Sequence, residues 1–114
     1  MKFLFVDDDK HMLGALSRAF SSNPNVAFAE CHSVEDALKA ISEQKPDVIL
    51  LDHHLTEDGD EGFEIADRVS GVKIVSTTTD SFVKDEYLKR GIERINKSSL
   101  KELRDIIAKL SATN

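Results

Sequence analysis

Two stretches decide the fold: Phe3-Leu4-Phe5-Val6-Asp7-Asp8-Asp9 and Val48-Ile49-Leu50-Leu51-Asp52. Each is a run of four apolar residues that ends in acid. Short, unbroken apolar runs are what strands buried on both faces of a parallel sheet require. Parallel strands finish on one edge, so the two runs predict Asp7, Asp8 and Asp52 side by side at the carboxyl ends of the strands. Carboxylates held that close repel unless something positive lies among them. A hard, oxygen-seeking cation such as Mg²⁺ is the natural occupant.

Outward from these runs, strand-like and helix-like segments alternate five times. After the strand at 2–6, Leu13, Leu16 and Phe20 share one helical stripe that stops at Asn23-Pro24. A second strand is expected over Val26–Glu30. Ser33-Val34-Glu35-Asp36 resembles a capping box opening a helix with Val34, Ala37, Leu38 and Ile41 on one face. Pro46 ends that helix and the third strand begins near Asp47. A polar loop, His53–Asp60, leads to a short helix carrying Phe63, Ala66 and Val69, closed by Gly71. Val72–Val75 reads as the fourth strand, running into Ser76-Thr77-Thr78-Thr79. Asp80 or Ser81 caps a fourth helix that extends to Gly91, and Ile92–Asn96 reads as a polar fifth strand at an edge. Ser99-x-x-Glu102 caps the last helix, with Leu100, Leu103, Ile106, Ile107 and Leu110 as its stripe. Strict alternation of this kind predicts a single (βα)5 domain over residues 1–114: α/β, with a doubly wound, parallel, five-stranded sheet. The ligand site of such a sheet lies past the strand ends, where Ser76 and Lys97 would join the three aspartates.

Composition narrows the function. At 114 residues the chain is one domain with room for a real core. No apolar stretch approaches a membrane span, and the first apolar run is too short for a signal peptide. One cysteine, Cys31, excludes an internal disulfide, suits a reducing cytoplasm and reads as a small buried residue. The net charge of −6 argues against nucleic acid as a direct partner. Residues 81–114 nevertheless carry 8 basic and 5 acidic side chains. That balance fits either a docking face for an acidic partner or ordinary solvated helix faces, and the second reading is favoured.

The chain resembles, over essentially its whole length, the receiver domain of two-component response regulators. The matching residues are Asp7-Asp8 after the first strand, Asp52 after the third, Ser76 ending the fourth and Lys97 after the fifth. The resemblance implies a flavodoxin-like sheet of strand order 2-1-3-4-5. It implies that Asp52 accepts a phosphoryl group from a phosphohistidine on a bacterial sensor histidine kinase or phosphotransfer protein. It implies Mg²⁺ held by Asp8, by Asp7 largely through water, by Asp52 and by the backbone carbonyl of His54. Lys97 would contact a phosphoryl oxygen, and Ser76 would swing its hydroxyl towards the phosphoryl group. The activity would be self-phosphoryl transfer and slow autodephosphorylation, with output by contact with a downstream protein and no attached output domain.

Departures from the family pattern fall on the output side. Leu55-Thr56 stands where Met-Pro is frequent, and Ser98 follows Lys97 where proline is usual. A cis bond without proline costs about 2.5–4 kcal/mol, so a trans peptide is expected there. Arg94 holds the position of the aromatic switch, so the resemblance does not carry that switch over. Thr77 replaces a smaller residue and would narrow access to Asp52. His54 is expected beside the phosphoryl group, tuning hydrolysis through a neutral imidazole.

Three other readings compete. A degenerate receiver would act as a phosphorylation-independent interaction module through Arg94 and the basic C-terminal helices. A haloacid-dehalogenase-type hydrolase would use Asp7-x-Asp9, but Asp9 reads equally as a helix cap and Asp52 is left without a role. Asp52-His53-His54 spells the motif of a family of metal-dependent phosphoesterases, which needs far more chain. Zinc on His53-His54 is set aside because adjacent side chains at a strand end point in different directions.

Overall fold

The computed structural model describes residues 1–57 and 59–112. Within them the elements are β1 (Phe3–Asp7), α1 (Lys10–Ala19), β2 (Val26–Glu30), α2 (Val34–Gln44) and β3 (Val48–Leu51). They continue with α3 (Glu61–Arg68), β4 (Lys73–Ser76), a 3₁₀ turn (Ser81–Val83), α4 (Lys84–Lys89) and α5 (Leu100–Ala112). The expected caps are present. Asp9 accepts hydrogen bonds from the His11 and Met12 amides, and Ser33 accepts one from Asp36. Ser99 Oγ accepts from the Glu102 amide at the start of α5.

The strands are all parallel in the order β2-β1-β3-β4. Side chains alternate across a strand, so Phe3 and Phe5 join one core and Leu4 and Val6 the other. The first core takes Leu13 and Leu16 of α1 and Leu103 and Ile107 of α5. The second takes Ala37 of α2, Ile65 of α3 and Tyr87 of α4. Helices thus cover both faces, which is why β1 up to Val6 and the whole of β3 are apolar. The architecture is α/β and flavodoxin-like. No helix among the described residues is long and apolar enough to cross a membrane.

The fifth strand is a correction. Ile92–Asn96 does not form one; a single parallel bridge joins Ser76 to Arg94, with the Ser76 amide donating to the Glu93 carbonyl and the Ile95 amide to the Ser76 carbonyl. Among the described residues the sheet therefore has four strands, not five in the order 2-1-3-4-5. The cause is local. The Ile92 amide closes the turn after α4 on the Tyr87 carbonyl, and Asn96 accepts from the amides of Ser98 and Ser99. Only residues 93–95 remain to pair, and β4 itself ends at Ser76.

Smaller differences follow the same logic. Helix α3 ends at Arg68 rather than at Gly71, whose φ of 74° belongs to the turn before β4. The fourth helical segment begins as the 3₁₀ turn, with Asp80 accepting from the Phe82 amide. No cis peptide bond occurs among the described residues. Asp58 of the polar loop lies outside them.

Gly62, in the first turn of α3, makes the approach of that helix to the sheet edge possible. Its amide donates to the His53 carbonyl at 2.9 Å. A Cβ there would meet the Tyr87 hydroxyl and lie 2.8 Å from His53 Cα. Gly62→Ala is therefore expected to destabilise the protein by about 1–3 kcal/mol, despite alanine's better helix propensity. Urea unfolding of the two proteins measures this directly.

Candidate functional site

At the carboxyl edge of the sheet, oxygen atoms of Asp7, Asp8 and Asp52 lie within 4.8 Å of one another. The β1–β3 register pairs Val6 with Leu51, so the residues that follow are neighbours. The backbone on both sides is pinned: the Cys31 amide donates to the Asp7 carbonyl and the Asp52 amide to the Val6 carbonyl, each at 2.9 Å. Asp7 and Asp52 are buried.

Lys97 reaches into this cluster from the segment before α5. Its ammonium lies 2.9 Å from Asp7 Oδ2 and 3.4 Å from Asp52 Oδ1. Burial works against that ammonium, but the bond to Asp7 and the charges of Asp52 and Asp7 outweigh it and raise its pKa. One cation does not neutralise three carboxylates. Burial, then the charge of Asp7, push the Asp52 carboxyl up to about 6. Burial also raises Asp7, against the Asp9 amide and Lys97 that favour its charge. The donor set is all oxygen and carries excess negative charge, which fits a hard divalent cation.

Ser76 ends β4 beside Leu51, one residue from Asp52, and is wholly buried. Thr77 and Thr78 are buried too, with the Thr77 amide on the Leu51 carbonyl. Arg94, across the bridge from Ser76, sends its guanidinium 3.0 Å to the Thr78 carbonyl. A polar anchor on the β4–α4 connection thus occupies the place of the expected aromatic residue.

His54 is held at both ring nitrogens. Its Nδ1 lies 2.6 Å from the Gly59 carbonyl and its Nε2 lies 2.9 Å from the Asp80 carboxylate. Both partners are acceptors, an arrangement that favours the protonated ring over the neutral imidazole. The Asp80 bond, then that of Gly59, raise its pKa accordingly. The ring ties the β3–α3 loop to the β4–α4 connection.

The sequence weighs His53 only in the zinc and phosphoesterase readings, and assigns Tyr87 no role. The His53 ring is wholly buried, with Nε2 2.9 Å from Asp60 Oδ1 and Nδ1 2.7 Å from the Tyr87 hydroxyl. Burial lowers its pKa, so Nε2–H donates to Asp60 and the Tyr87 hydroxyl donates to Nδ1. The only signal available was that a tyrosine on an apolar stripe needs a buried partner.

Asp9 is held by the two amides of α1, so the Asp7-x-Asp9 hydrolase reading loses its second carboxylate. The basic C-terminal segment is less open than its charge suggests. Lys89 pairs with Glu86, Lys101 with Asp105, and Arg90 with Asp67 through two bonds. A hollow of about 480 Å³ between α3 and the turn after α4 is lined partly by that last pair, and by none of the acidic cluster.

A family model described as the response regulator receiver domain matches residues 3–108. The sensory transduction protein LytT of Enterococcus faecalis is 34% identical over 88 residues, which is 76% of this chain and 36% of that protein. LytT of Bacillus anthracis is 31% identical over 94 residues, covering 82% of this chain and 37% of that protein. The chain thus spans little more than a third of these curated relatives. Among solved structures, the signal receiver domain of a DNA-binding response regulator protein (merR) from Colwellia psychrerythraea superposes with a TM-score of 0.79 at 22% identity, covering 98% of both chains. The isolated REC domain of RcsB from Salmonella enterica, in the presence of phosphomimetic BeF3⁻, gives 0.78 at 17% identity, covering 98% of this chain and 88% of that one.

The raised Asp52 carboxyl sets a pH dependence in metal-free protein. Its folded pKa of about 6 lies above the ordinary 3.8, so the native state binds this proton more tightly than the unfolded chain. The Asp52 contribution to stability is then fully present below the ordinary value and is lost as pH rises through about 6. Asp52→Asn is expected to be more stable than the parent near pH 8, by on the order of 2 kcal/mol. The gap should close near pH 4, where the folded parent carries a neutral carboxyl. Urea unfolding at the two pH values tests both halves.

Proposed function

Because the chain belongs to the response regulator receiver domain family of two-component signalling, we propose that Asp52 accepts a phosphoryl group from the phosphohistidine of a sensor kinase or phosphotransfer protein. The observation that carries this reading is Lys97 Nζ between Asp7 and Asp52, at 2.9 and 3.4 Å. It supports a role for Asp52 as nucleophile, because a carboxylate that receives an anion needs fixed positive charge at its side.

An Asp52 oxygen attacks phosphorus as the phosphorus–nitrogen bond of the donor imidazole breaks, and that imidazole leaves with the bond's electron pair. Phosphoryl transfer depends mainly on positioning and on neutralising the equatorial oxygens. Lys97 would move from the shared carboxylates to a phosphoryl oxygen. Ser76, held by backbone bonds on both sides, would offer its hydroxyl to another. Mg²⁺, held by Asp7, Asp8, Asp52 and the His54 carbonyl, would supply the remaining positive charge.

The output follows from the same loops. Thr78 and Asp80 tie the β4–α4 connection to Arg94 and His54 respectively. A hydroxyl drawn inward at Ser76 would pull on this connection, shifting the balance between two arrangements of it. Phe82, almost fully exposed on the turn that follows, would then present an apolar contact to a downstream protein.

Intact mass after incubation with a small-molecule phosphodonor and Mg²⁺ tests the proposal. One phosphoryl adduct is expected, lost in Asp52→Asn and retained in Asp9→Asn. An adduct that survives Asp52→Asn would place the acceptor elsewhere. No adduct in the parent protein would favour the interaction-module reading. Millimolar Mg²⁺ alone is expected to raise the melting temperature, since a ligand bound only by the native state stabilises it.

A further inference from the structure

Beside the acidic cluster lies a second group of ligating atoms with different chemistry. One ring nitrogen from each of His53 and His54 and one carboxylate oxygen of Asp60 fall within 4.8 Å of one another. The objection that neighbouring strand-end histidines diverge does not hold here. The chain leaves β3 at Leu51, and the two rings meet edge to face with centroids 4.6 Å apart. We propose that His53, His54 and Asp60 form a binding site for a borderline divalent cation of the zinc class, separate from the oxygen-lined magnesium pocket.

Two imidazoles and a carboxylate form a ligand set that such cations favour and that Mg²⁺ does not. The ligands come from two places at most seven positions apart in sequence, which the loop between β3 and α3 brings together. His53 Nε2 and Asp60 Oδ1 lie 2.9 Å apart as hydrogen-bond partners, so a small outward shift would set both at the roughly 3.3 Å that separates two ligands on one tetrahedral ion. Gly59, whose carbonyl lies 2.6 Å from His54 Nδ1, is the chain neighbour of Asp60, so this edge of the His54 ring faces the same loop. His54 Nδ1 is therefore the ligand atom from that residue.

Zinc would take the place of the protons that His53 Nε2 donates to Asp60 and His54 Nδ1 donates to the Gly59 carbonyl, leaving the other nitrogen of each ring with a hydrogen-bond partner. His53 Nδ1 lies 2.7 Å from the Tyr87 hydroxyl, and His54 Nε2 lies 2.9 Å from Asp80. Partners of this kind fix the ring orientation and, in the case of a carboxylate, strengthen the ligand. Asp60 adds an independent sign. It occupies the N-cap of α3, where an aspartate ordinarily accepts a helix amide, yet its side chain makes no cap bond and turns to His53 instead. The Asp60 side chain is mostly exposed, which leaves a route for the ion and a fourth position for water.

Zinc titration of the 114-residue chain by calorimetry, with millimolar Mg²⁺ present to saturate the acidic pocket, tests the site. One ion per chain is expected, with a dissociation constant in the micromolar range or tighter. Asp60→Asn and His54→Gln should each weaken binding at least about tenfold, and Asp52→Asn should leave it unchanged. Cobalt substitution should add intense visible absorption typical of a tetrahedral site. His53 is kept intact because its ring is wholly buried, and equal urea midpoints confirm that the two variants fold. Absence of binding, an affinity indifferent to both variants, or binding abolished by Asp52→Asn would each overturn the proposal. None of these readouts depends on phosphoryl transfer.

Discussion

A single ammonium, that of Lys97, stands between Asp7 and Asp52 and is the positive charge that lets those buried carboxylates share one edge of the sheet. Three carboxylate donors within 4.8 Å exceed what one lysine neutralises. The imbalance is visible in the Asp52 carboxyl, raised to about 6 by burial and by Asp7. Such a cluster is held in place only because the framework around it is rigid. β1 and β3 are buried on both faces, and their ladder continues through the Asp52 amide to the Val6 carbonyl. The stability invested in the core is what tolerates the repulsion at its edge.

The loops above that edge are joined by polar contacts instead of aromatic packing. Arg94 reaches the Thr78 carbonyl, and His54 bridges from Gly59 to Asp80. These contacts link three segments: the β3–α3 loop, the β4–α4 connection and the chain opposite Ser76. An aromatic ring would transmit a change by moving between buried and exposed sites. A guanidinium on a carbonyl transmits it by holding or releasing a backbone oxygen, which has a direction and a short range. The reduced fifth strand suits this arrangement, because Ser76 bonds the Glu93 carbonyl and the Ile95 amide on either side of residue 94, while Ile92 and Asn96 belong to turns.

Beneath those loops, His53, Tyr87 and Phe63 form a small aromatic and polar core with Gly62 as its point of closest approach. Every polar atom in it is partnered, and among the described residues no buried side-chain nitrogen or oxygen lacks a hydrogen bond. A satisfied buried network rigidifies the segment it supports. Here that segment begins at Asp52, so Asp52 and the two histidines that follow it share one foundation.

The order of elements apart from the fifth strand, the caps at Asp9, Ser33 and Ser99, and the meeting of Asp7, Asp8, Asp52 and Lys97 were legible in the chain. Each is carried by a short-range signal: an apolar run, a helical stripe, or a cap three residues from its amide. Parallel pairing then leaves little choice about which strand ends coincide. The fate of Ile92–Asn96 was not legible, since it turned on amides at 92, 98 and 99 being claimed by turns before a strand could use them. Nor was the charge of His54, which depends on two acceptors 5 and 26 residues away. His53 was hidden for the same reason: its meaning lies in Asp60 and Tyr87, which only packing brings to opposite sides of one ring. Residue patterns determine which elements form, because those energies are local. Which polar atoms meet is decided by tertiary structure, because hydrogen bonds require proximity that no spacing along the chain encodes.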